Sequence, residues 1–365
     1  MFSLGRLIDK YRQTTKERRI EKHYKMSAIN HLKMLRTWRP LSSEQKEQIL
    51  SVWGKYGKFN YEWFSYFQET YGEFDPYFVP TCIWDLKVCD CLNQNKAFKK
   101  SIFGDKNYFD VLLSDVKTLP ILVRNINGQF LDKDFRPLEK SRVLELCCSE
   151  PDVVIKPSLA SARARNIGVF SNENEADFLK NVSEHMEKLK KDYVIQPYFR
   201  QHERMAALNT DSVNTIRVYS LMLNNQVHVL RTVVRIGTKG IRVDNLAASH
   251  GVICNINSNG CFDGFASDYA GNKCTVLPSG VVLKDYAIPS YDAVVEMVKF
   301  AHFRLSHCRL LGWDISVDRE GNPVVVEVNI HYPCSILGQV VSGPMLGKGE
   351  LFKEVMDFVS TKVAH

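Results

Sequence analysis

Ten cysteines occur in the 365 residues, yet no two stand in C-x-x-C spacing. That absence removes the usual signature of a structural zinc site or a thioredoxin-like redox centre. Cys89 with Cys91, and the neighbours Cys147 and Cys148, read instead as free thiols of a reducing compartment. No run approaches the roughly 18 consecutive apolar residues that span a bilayer. Arg6, Lys10 and Arg12 interrupt the short apolar start, so no secretory h-region is expected and a cytoplasmic location follows. Glycine and proline are not enriched, at 20 and 13 residues, and neither a repeat nor a low-complexity segment is present. Disordered and collagen-like classes are thereby excluded. Residues 1–105 also lack a strand, a Gly-rich turn and a helix in succession, which argues against a dinucleotide-binding first domain.

What the chain does have is charge in one place. Residues 1–40 hold 11 Lys/Arg against 3 Asp/Glu, leaving 37 against 38 in the remainder, so the net charge of +7 belongs to the leader. Such a segment suits an anionic lipid surface, a polyphosphate sugar carrier or nucleic acid, or is simply a solvated helix face. Leu4, Leu7, Ile8 and Tyr11, then Ile20, Tyr24, Ile29, Leu32 and Leu35, recur at approximate helical spacing and predict an amphipathic helix, in one or two pieces. Arg39-Pro40 breaks it. Ser42 with Gln45 forms a capping-box pattern that opens a helix from Ser43 to about Trp53, and aromatic crowding from Tyr61 to Trp84 marks a packed region. Residues 1–105 thus read as a basic, mainly helical region.

From Lys106 the texture changes to short β-type runs, which predict an α+β body. Ile121 to Arg124 precedes the turn pair Asn127-Gly128, Val153 to Lys156 and Tyr193 to Gln196 follow, and Glu173 to Lys190 reads as a helix between them. Val213 to Leu223 and Val227 to Ile236, joined by Asn224-Asn225, form the clearest hairpin. A two-residue turn there places Asn214 opposite Arg235 and makes Asn214, Arg217 and Arg235 face nearly the same way. A second hairpin runs from Gly312 through Val317, turns at Asp318 to Asn322, and returns from Val324 to Asn329. If Val317 pairs near Pro323 or Val324, Asp314 falls opposite Glu327 to within one residue, and Glu327 and Asn329 share a face. Asp, Glu and Asn side chains are hard oxygen donors suited to Mg²⁺, which takes one or two carboxylates and fills its shell with phosphate oxygens and water. Solvent-facing strand residues are the alternative, but both carboxylates sit in apolar runs where an unpaired charge is costly.

GWDISVDREGNPVVVEVN resembles the closing metal hairpin of ATP-grasp enzymes, and Gly104-Asp105-Lys106, Val153 to Pro157 and Tyr193 to Tyr198 resemble, in order, the opening of that fold, its second lysine strand and its adenine hinge. More narrowly, QHERMAALNTDSVNTIRV, RIGTKGIRVDN, GWD and EVN resemble the sugar-transfer-associated branch, over roughly residues 93 to 345.

The resemblance implies two α+β lobes clasping ATP, residues 106–198 supplying the first with the hinge and 199–365 the second with the metal hairpin. It implies ATP and Mg²⁺ as cofactors. Lys106 and Lys156 then contact phosphate oxygens, and Ser158 and Ser161, with Arg163 and Arg165, belong to the phosphate-covering loop, in which only Gly168 remains of the usual glycines. Gln196, Pro197 and Tyr198 hold adenine, while His202 and Asp244-Asn245 are candidates for ribose or acceptor contacts. Asn214, Arg217 and Arg235 stand as catalytic candidates, and Asp314, Glu327 and Asn329 as metal ligands. His331 occupies the place of a frequent substrate-binding arginine. The activity implied is ligation: a carboxylate, on a small molecule or linked to a glycan, becomes an acyl phosphate that an amine attacks. A nucleotide-binding accessory role and a kinase acting on a hydroxyl are the alternatives. Nucleic acid is not expected as a partner, and peripheral membrane contact through the leader is a further expectation.

Overall fold

The computed structural model describes residues 4–93, 102–159, 166–238, 240–241 and 251–363. The chain divides into two units, and the first gathers the residues up to Cys91, Tyr269–Asn272 and the segment from Ser335 onward. It is helical throughout its described part. The leader forms one continuous helix, Leu4–Met34, not two pieces. Ser42 then caps Ser43–Trp53 as the sequence anticipates: its hydroxyl accepts from the Gln45 amide at 3.1 Å and its own amide donates to Gln45 Oε1 at 2.9 Å.

Helix Glu62–Tyr71 carries the aromatic centre of this unit. Trp63 stacks on Phe67 at 5.6 Å, and Phe67 on Phe78 at 5.0 Å, all three without solvent exposure. Two late helices, Ser335–Ser342 and Glu350–Val363, also belong here, whereas the sequence suggested that they extend the second lobe. The physical reason is burial. Nearly all of Ser335–Ser342 is shielded from water, and the carboxamide of buried Gln339 accepts from the Val79 amide at 2.7 Å and donates to the Val79 carbonyl at 3.1 Å.

The second unit, Leu92–Asp268 with Lys273–Cys334, is the α+β body. Its first sheet comprises β1 (Val123–Ile126), β2 (Gln129–Leu131), β3 (Asp152–Pro157), β4 (Gly168–Ser171) and β5 (Tyr193–Pro197), in the order β2-β1-β5-β3-β4. Val123, Val153, Ile155 and Ile195 pack beneath helices Lys140–Cys148 and Glu175–Leu189, which bring Val143, Phe178, Val182 and Met186. The larger sheet comprises β6 (Thr215–Leu223), β7 (Gln226–Ile236), β8 (Val252–Ile256), β9 (Phe262–Ser267), β10 (Lys273–Cys274), β11 (Leu310–Val317) and β12 (Pro323–Asn329), in the order β10-β9-β8-β7-β6-β11-β12. One of its faces is apolar: Ile216, Val218, Val234, Trp313 and Ile315 pack with Val294, Val298 and Ala301 of helix Tyr291–His302. Alternation along each strand leaves the opposite face to polar side chains.

The β6–β7 turn is the expected Asn224-Asn225, whose φ angles of 49° and 58° are those a two-residue hairpin loop of the left-handed type requires. The register nonetheless differs from the expectation. A bulge at Leu230 moves the pairing by one residue, so that Thr215, and not Asn214, lies opposite Arg235.

The segment entering β1 and the one leading from β5 to β6 are both tied to the β11–β12 hairpin. The Leu119 amide donates to the Val325 carbonyl at 3.3 Å, the Val325 amide to the Lys117 carbonyl at 2.9 Å, and the His202 amide to the Val317 carbonyl at 2.7 Å. In the helical unit, Ser42→Ala removes a reciprocal cap and is expected to cost about 1 kcal/mol in urea denaturation. Full stability in this variant contradicts the capping role.

Candidate active site

The polar face of the large sheet gathers its charges on the strands nearest the hairpin. In β11 and β12, Val317 pairs with Pro323, Asp314 with Glu327 and Gly312 with Asn329, a bulge after Asp314 absorbing one residue. Asp318 closes the turn, its Oδ1 accepting the amides of Glu320 at 3.1 Å and Asn322 at 2.7 Å, and Gly321 takes the left-handed conformation at φ 86°. Lys117, from the segment crossing into β1, pairs with the same carboxylate.

On the neighbouring strand Arg217 lies directly opposite Asp314. Its Nε and Nη2 hold the two carboxylate oxygens at 2.7 and 2.9 Å, a bidentate pair whose side chains are each only 5% exposed. Arg235 adds a contact to Oδ2 at 3.3 Å, and the Asn329 amide another at 3.3 Å. Burial alone raises the carboxyl pKa, but Arg217 and then Arg235 outweigh it and hold Asp314 below its ordinary range. Gly312 makes room for this arrangement: a Cβ there meets Pro333 Cβ at 2.8 Å and Arg217 Cδ at 3.7 Å.

Two lysines complete the cluster. Lys106 is 4% exposed; its Nζ pairs with Glu327 Oε1 at 2.8 Å and its amide donates to the Ser158 carbonyl at 3.0 Å. Lys156, on β3 opposite Val194, is buried and forms no ion pair among the described residues. Burial depresses its pKa most, Lys106 adds repulsion, and Glu327 and Asp314 offset part of it, leaving the ammonium at about 8 instead of 10.5. The folded chain therefore binds fewer protons than the unfolded one between these values. Burying Lys156 penalises folding at and below pH 8, and the penalty fades as pH rises to 10.5. Beyond the lysine, Ser158 is fully buried and its hydroxyl has no hydrogen-bond partner among the described residues.

The site residues expected from sequence divide into four groups. Lys106, Lys156, Arg217, Arg235, Asp314, Glu327 and Asn329 come together. Gln196, Pro197 and Tyr198 lie along the end of β5, with Gln196 Nε2 donating to the Leu119 carbonyl at 3.4 Å, its buried Oε1 unpartnered, and the Tyr198 amide donating to the Asp152 carbonyl at 2.9 Å.

The placing of Asn214 is corrected, and His202 is anchored to the backbone. Asn214 precedes β6 on the side of Ile216 and Val218, away from Arg217, and its buried amide donates to the Met205 and Asn209 carbonyls at 2.8 and 2.9 Å. The bulge in β7 defeated the sequence-based register. His202 caps the short helix Glu203–Ala206, its Nδ1 accepting from the Arg204 amide at 3.1 Å. Ser161, Arg163, Arg165, Asp244 and Asn245 lie outside the described residues. Sequence reasoning missed Tyr219, which follows Arg217 on the same face and donates its hydroxyl to the Cys334 carbonyl at 2.5 Å. Its two-residue spacing from Arg217 was the available signal.

Among the described residues, Lys106, Lys156, Arg217 and Arg235 gather about the carboxylates of Asp314 and Glu327, and Lys156 forms no ion pair with either. An uncompensated buried ammonium and an unpartnered buried hydroxyl are what a bound anion rich in oxygen acceptors satisfies. Both Asp314 oxygens already take guanidinium donors, so the exposed flank of Glu327 is the carboxylate most open to a divalent cation, with Asn329 beside it. The donor set fits magnesium accompanied by phosphate oxygens.

Two sheets, two buried lysines, one ahead of the smaller sheet and one on its strand β3, and a carboxylate hairpin on the larger sheet are the features of an ATP-grasp protein. The family model described as sugar-transfer associated ATP-grasp matches residues 91–351, and the chain belongs to that family. No protein of curated function matches the sequence. Among solved structures, similarity extends to a D-cycloserine synthetase (11% identity, TM-score 0.42, covering 71% of this chain and 70% of that one). It extends also to an L-amino acid ligase from Bacillus licheniformis (16%, 0.35, 63% and 40%) and to D-alanyl-alanine synthetase A from Vibrio cholerae (11%, 0.40, 76% and 66%). None of these similarities assigns a substrate.

Replacing Asp314 by Ala leaves Arg217 buried without its counter-charge and is expected to destabilise the α+β unit by about 3 to 5 kcal/mol. Arg217→Met combined with Asp314→Leu is expected to cost less than either single change. A double-mutant cycle in urea that finds additive losses contradicts the coupling.

Proposed function

We propose that the protein is an ATP- and magnesium-dependent ligase that activates a carboxylate as an acyl phosphate for attack by an amine, in the modification of a surface polysaccharide or glycopeptide. The observation that carries this reading is the buried ammonium of Lys156, without an ion pair among the described residues and next to Lys106, beside the Asp314–Glu327 hairpin in a chain of ATP-grasp family. The polysaccharide setting rests on the family description alone.

In this reading Lys106 and Lys156 bind phosphate oxygens as compact point charges, and Lys156 exchanges an unfavourable burial for a counter-ion. Glu327 and Asn329 hold magnesium, with Asp314 supporting them from the arginine side. Neutralisation of charge developing on the transferred phosphoryl group is the chemistry that a magnesium held by these residues would supply. Arg217, fixed in orientation by its bidentate pairing with Asp314, is held ready to stabilise that charge with little reorganisation. Gln196 offers an unpartnered acceptor at the end of β5, where the adenine contact is expected, and backbone groups from Gln196 to Tyr198 border the base.

Three measurements test this. ADP release is expected to require both a carboxylate and an amine; release with a hydroxyl substrate alone indicates a kinase, and binding without turnover indicates an accessory role. Glu327→Gln is expected to lower turnover by at least 100-fold, on the scale of losing one preorganised charge contact. Nucleotide binding is expected to take up a proton above pH 8, because a bound anion restores the ammonium of Lys156. Calorimetry in buffers of different ionisation enthalpy detects this uptake, and Lys156→Met abolishes it while raising the melting temperature. Proton uptake that persists in Lys156→Met contradicts the role given to this lysine.

A further inference from the structure

The leader helix Leu4–Met34 is 31 residues long, about 46 Å at the usual rise, and its two sides differ in charge. One side is bound to its own unit. Ala28, Leu32 and Leu35 are buried, Tyr24 donates to Asp85 Oδ2 at 3.1 Å, and His31 lies against Trp63 with ring centroids 4.9 Å apart. Glu17 and Glu21 share this side by helical spacing, and Glu21 pairs with Lys58 at 3.2 Å.

The other side is cationic. Arg18, Lys22, Lys25, Ile29 and Lys33 follow one another at intervals of three or four residues; the four basic residues are exposed, and Met26 beside them is 43% exposed. No acidic residue interrupts the row. Continued toward the N-terminus in the sequence, the same spacing reads Thr15, Tyr11, Ile8, Leu7 and Leu4. Residues 1–40 hold the whole of the chain's positive excess.

We infer that this face of the leader helix is a docking surface for an anionic lipid bilayer, on which the helix lies in the interface and does not cross it. No described helix is long and apolar enough to cross a membrane. Charge complementarity selects an anionic partner, and the apolar continuation of the row selects a bilayer over a soluble polyanion. Basic side chains snorkel to the headgroups while Met26 enters the acyl boundary. The body of the protein, nearly neutral, contributes little to this attraction. The inference is independent of the nucleotide site, because it concerns only the helical unit.

The test is co-sedimentation of the full chain with vesicles of equimolar phosphatidylglycerol and phosphatidylcholine, against vesicles of phosphatidylcholine alone. Binding is expected to the anionic vesicles at low salt, to weaken at high salt, and to be absent with the neutral ones. The triple charge reversal Lys22→Glu, Lys25→Glu, Lys33→Glu is expected to weaken it by about 100-fold or more, each basic residue contributing to the attraction. Far-UV circular dichroism and the melting temperature stay unchanged, since all three side chains are exposed. Leu4→Ser with Leu7→Ser is expected to weaken vesicle binding while leaving any association with duplex DNA unaltered. Equal binding to neutral vesicles, no binding at low salt, full binding by either variant, or tighter binding to duplex DNA than to anionic vesicles overturns the inference.

Discussion

Arg217 and Asp314 face each other across adjacent strands at a point where each side chain is 5% exposed, and much of the candidate site depends on that pairing. An arginine buried alone is among the costliest groups a fold can contain, and a carboxylate buried alone is little better. Together, in bidentate geometry, they fix the guanidinium plane, draw Arg235 and the Asn329 amide to the same carboxylate, and set the spacing at which Glu327 meets Lys106. Gly312 is the complementary requirement, since any side chain there crowds Pro333.

The same geometry divides the labour of the two carboxylates. The sequence presents Asp314 and Glu327 as equivalent partners across a hairpin, which they are in register. In charge they are not. Asp314 is saturated by guanidinium and amide donors, whereas Glu327 meets one lysine and keeps a solvent-facing flank. Lys156 is left without an ion pair, and burial weakens its hold on a proton to the point where an incoming anion changes its state. A site of this kind stores an unfavourable term in the free protein that ligand binding relieves.

Legibility in the sequence followed the range of the interactions. The capping box at Ser42 and Gln45, the Asn224-Asn225 turn and the Asp314–Glu327 opposition are local and were readable from spacing. The bulge at Leu230 was not, and the residue it inserts sets Arg235 opposite Thr215, on the face of Arg217, whereas Asn214, three residues before Arg217, falls on the other face by strand alternation. His202 carried a polar ring that suited either a ligand or a helix cap, and only the amide of Arg204 decides for the cap. The return of Ser335–Ser342 to the helical unit depends on a contact between Gln339 and Val79, far apart in the chain and beyond any periodicity argument.

The most direct measurement is a crystal structure of the full chain with magnesium and a non-hydrolysable ATP analogue. The account predicts phosphate oxygens in hydrogen-bond contact with both Lys106 and Lys156, and magnesium at about 2.1 Å from Glu327 and Asn329 oxygens. It also predicts that the Arg217–Asp314 pair stays intact on binding. A nucleotide bound away from both lysines, or a metal that leaves Glu327 uncoordinated, contradicts it.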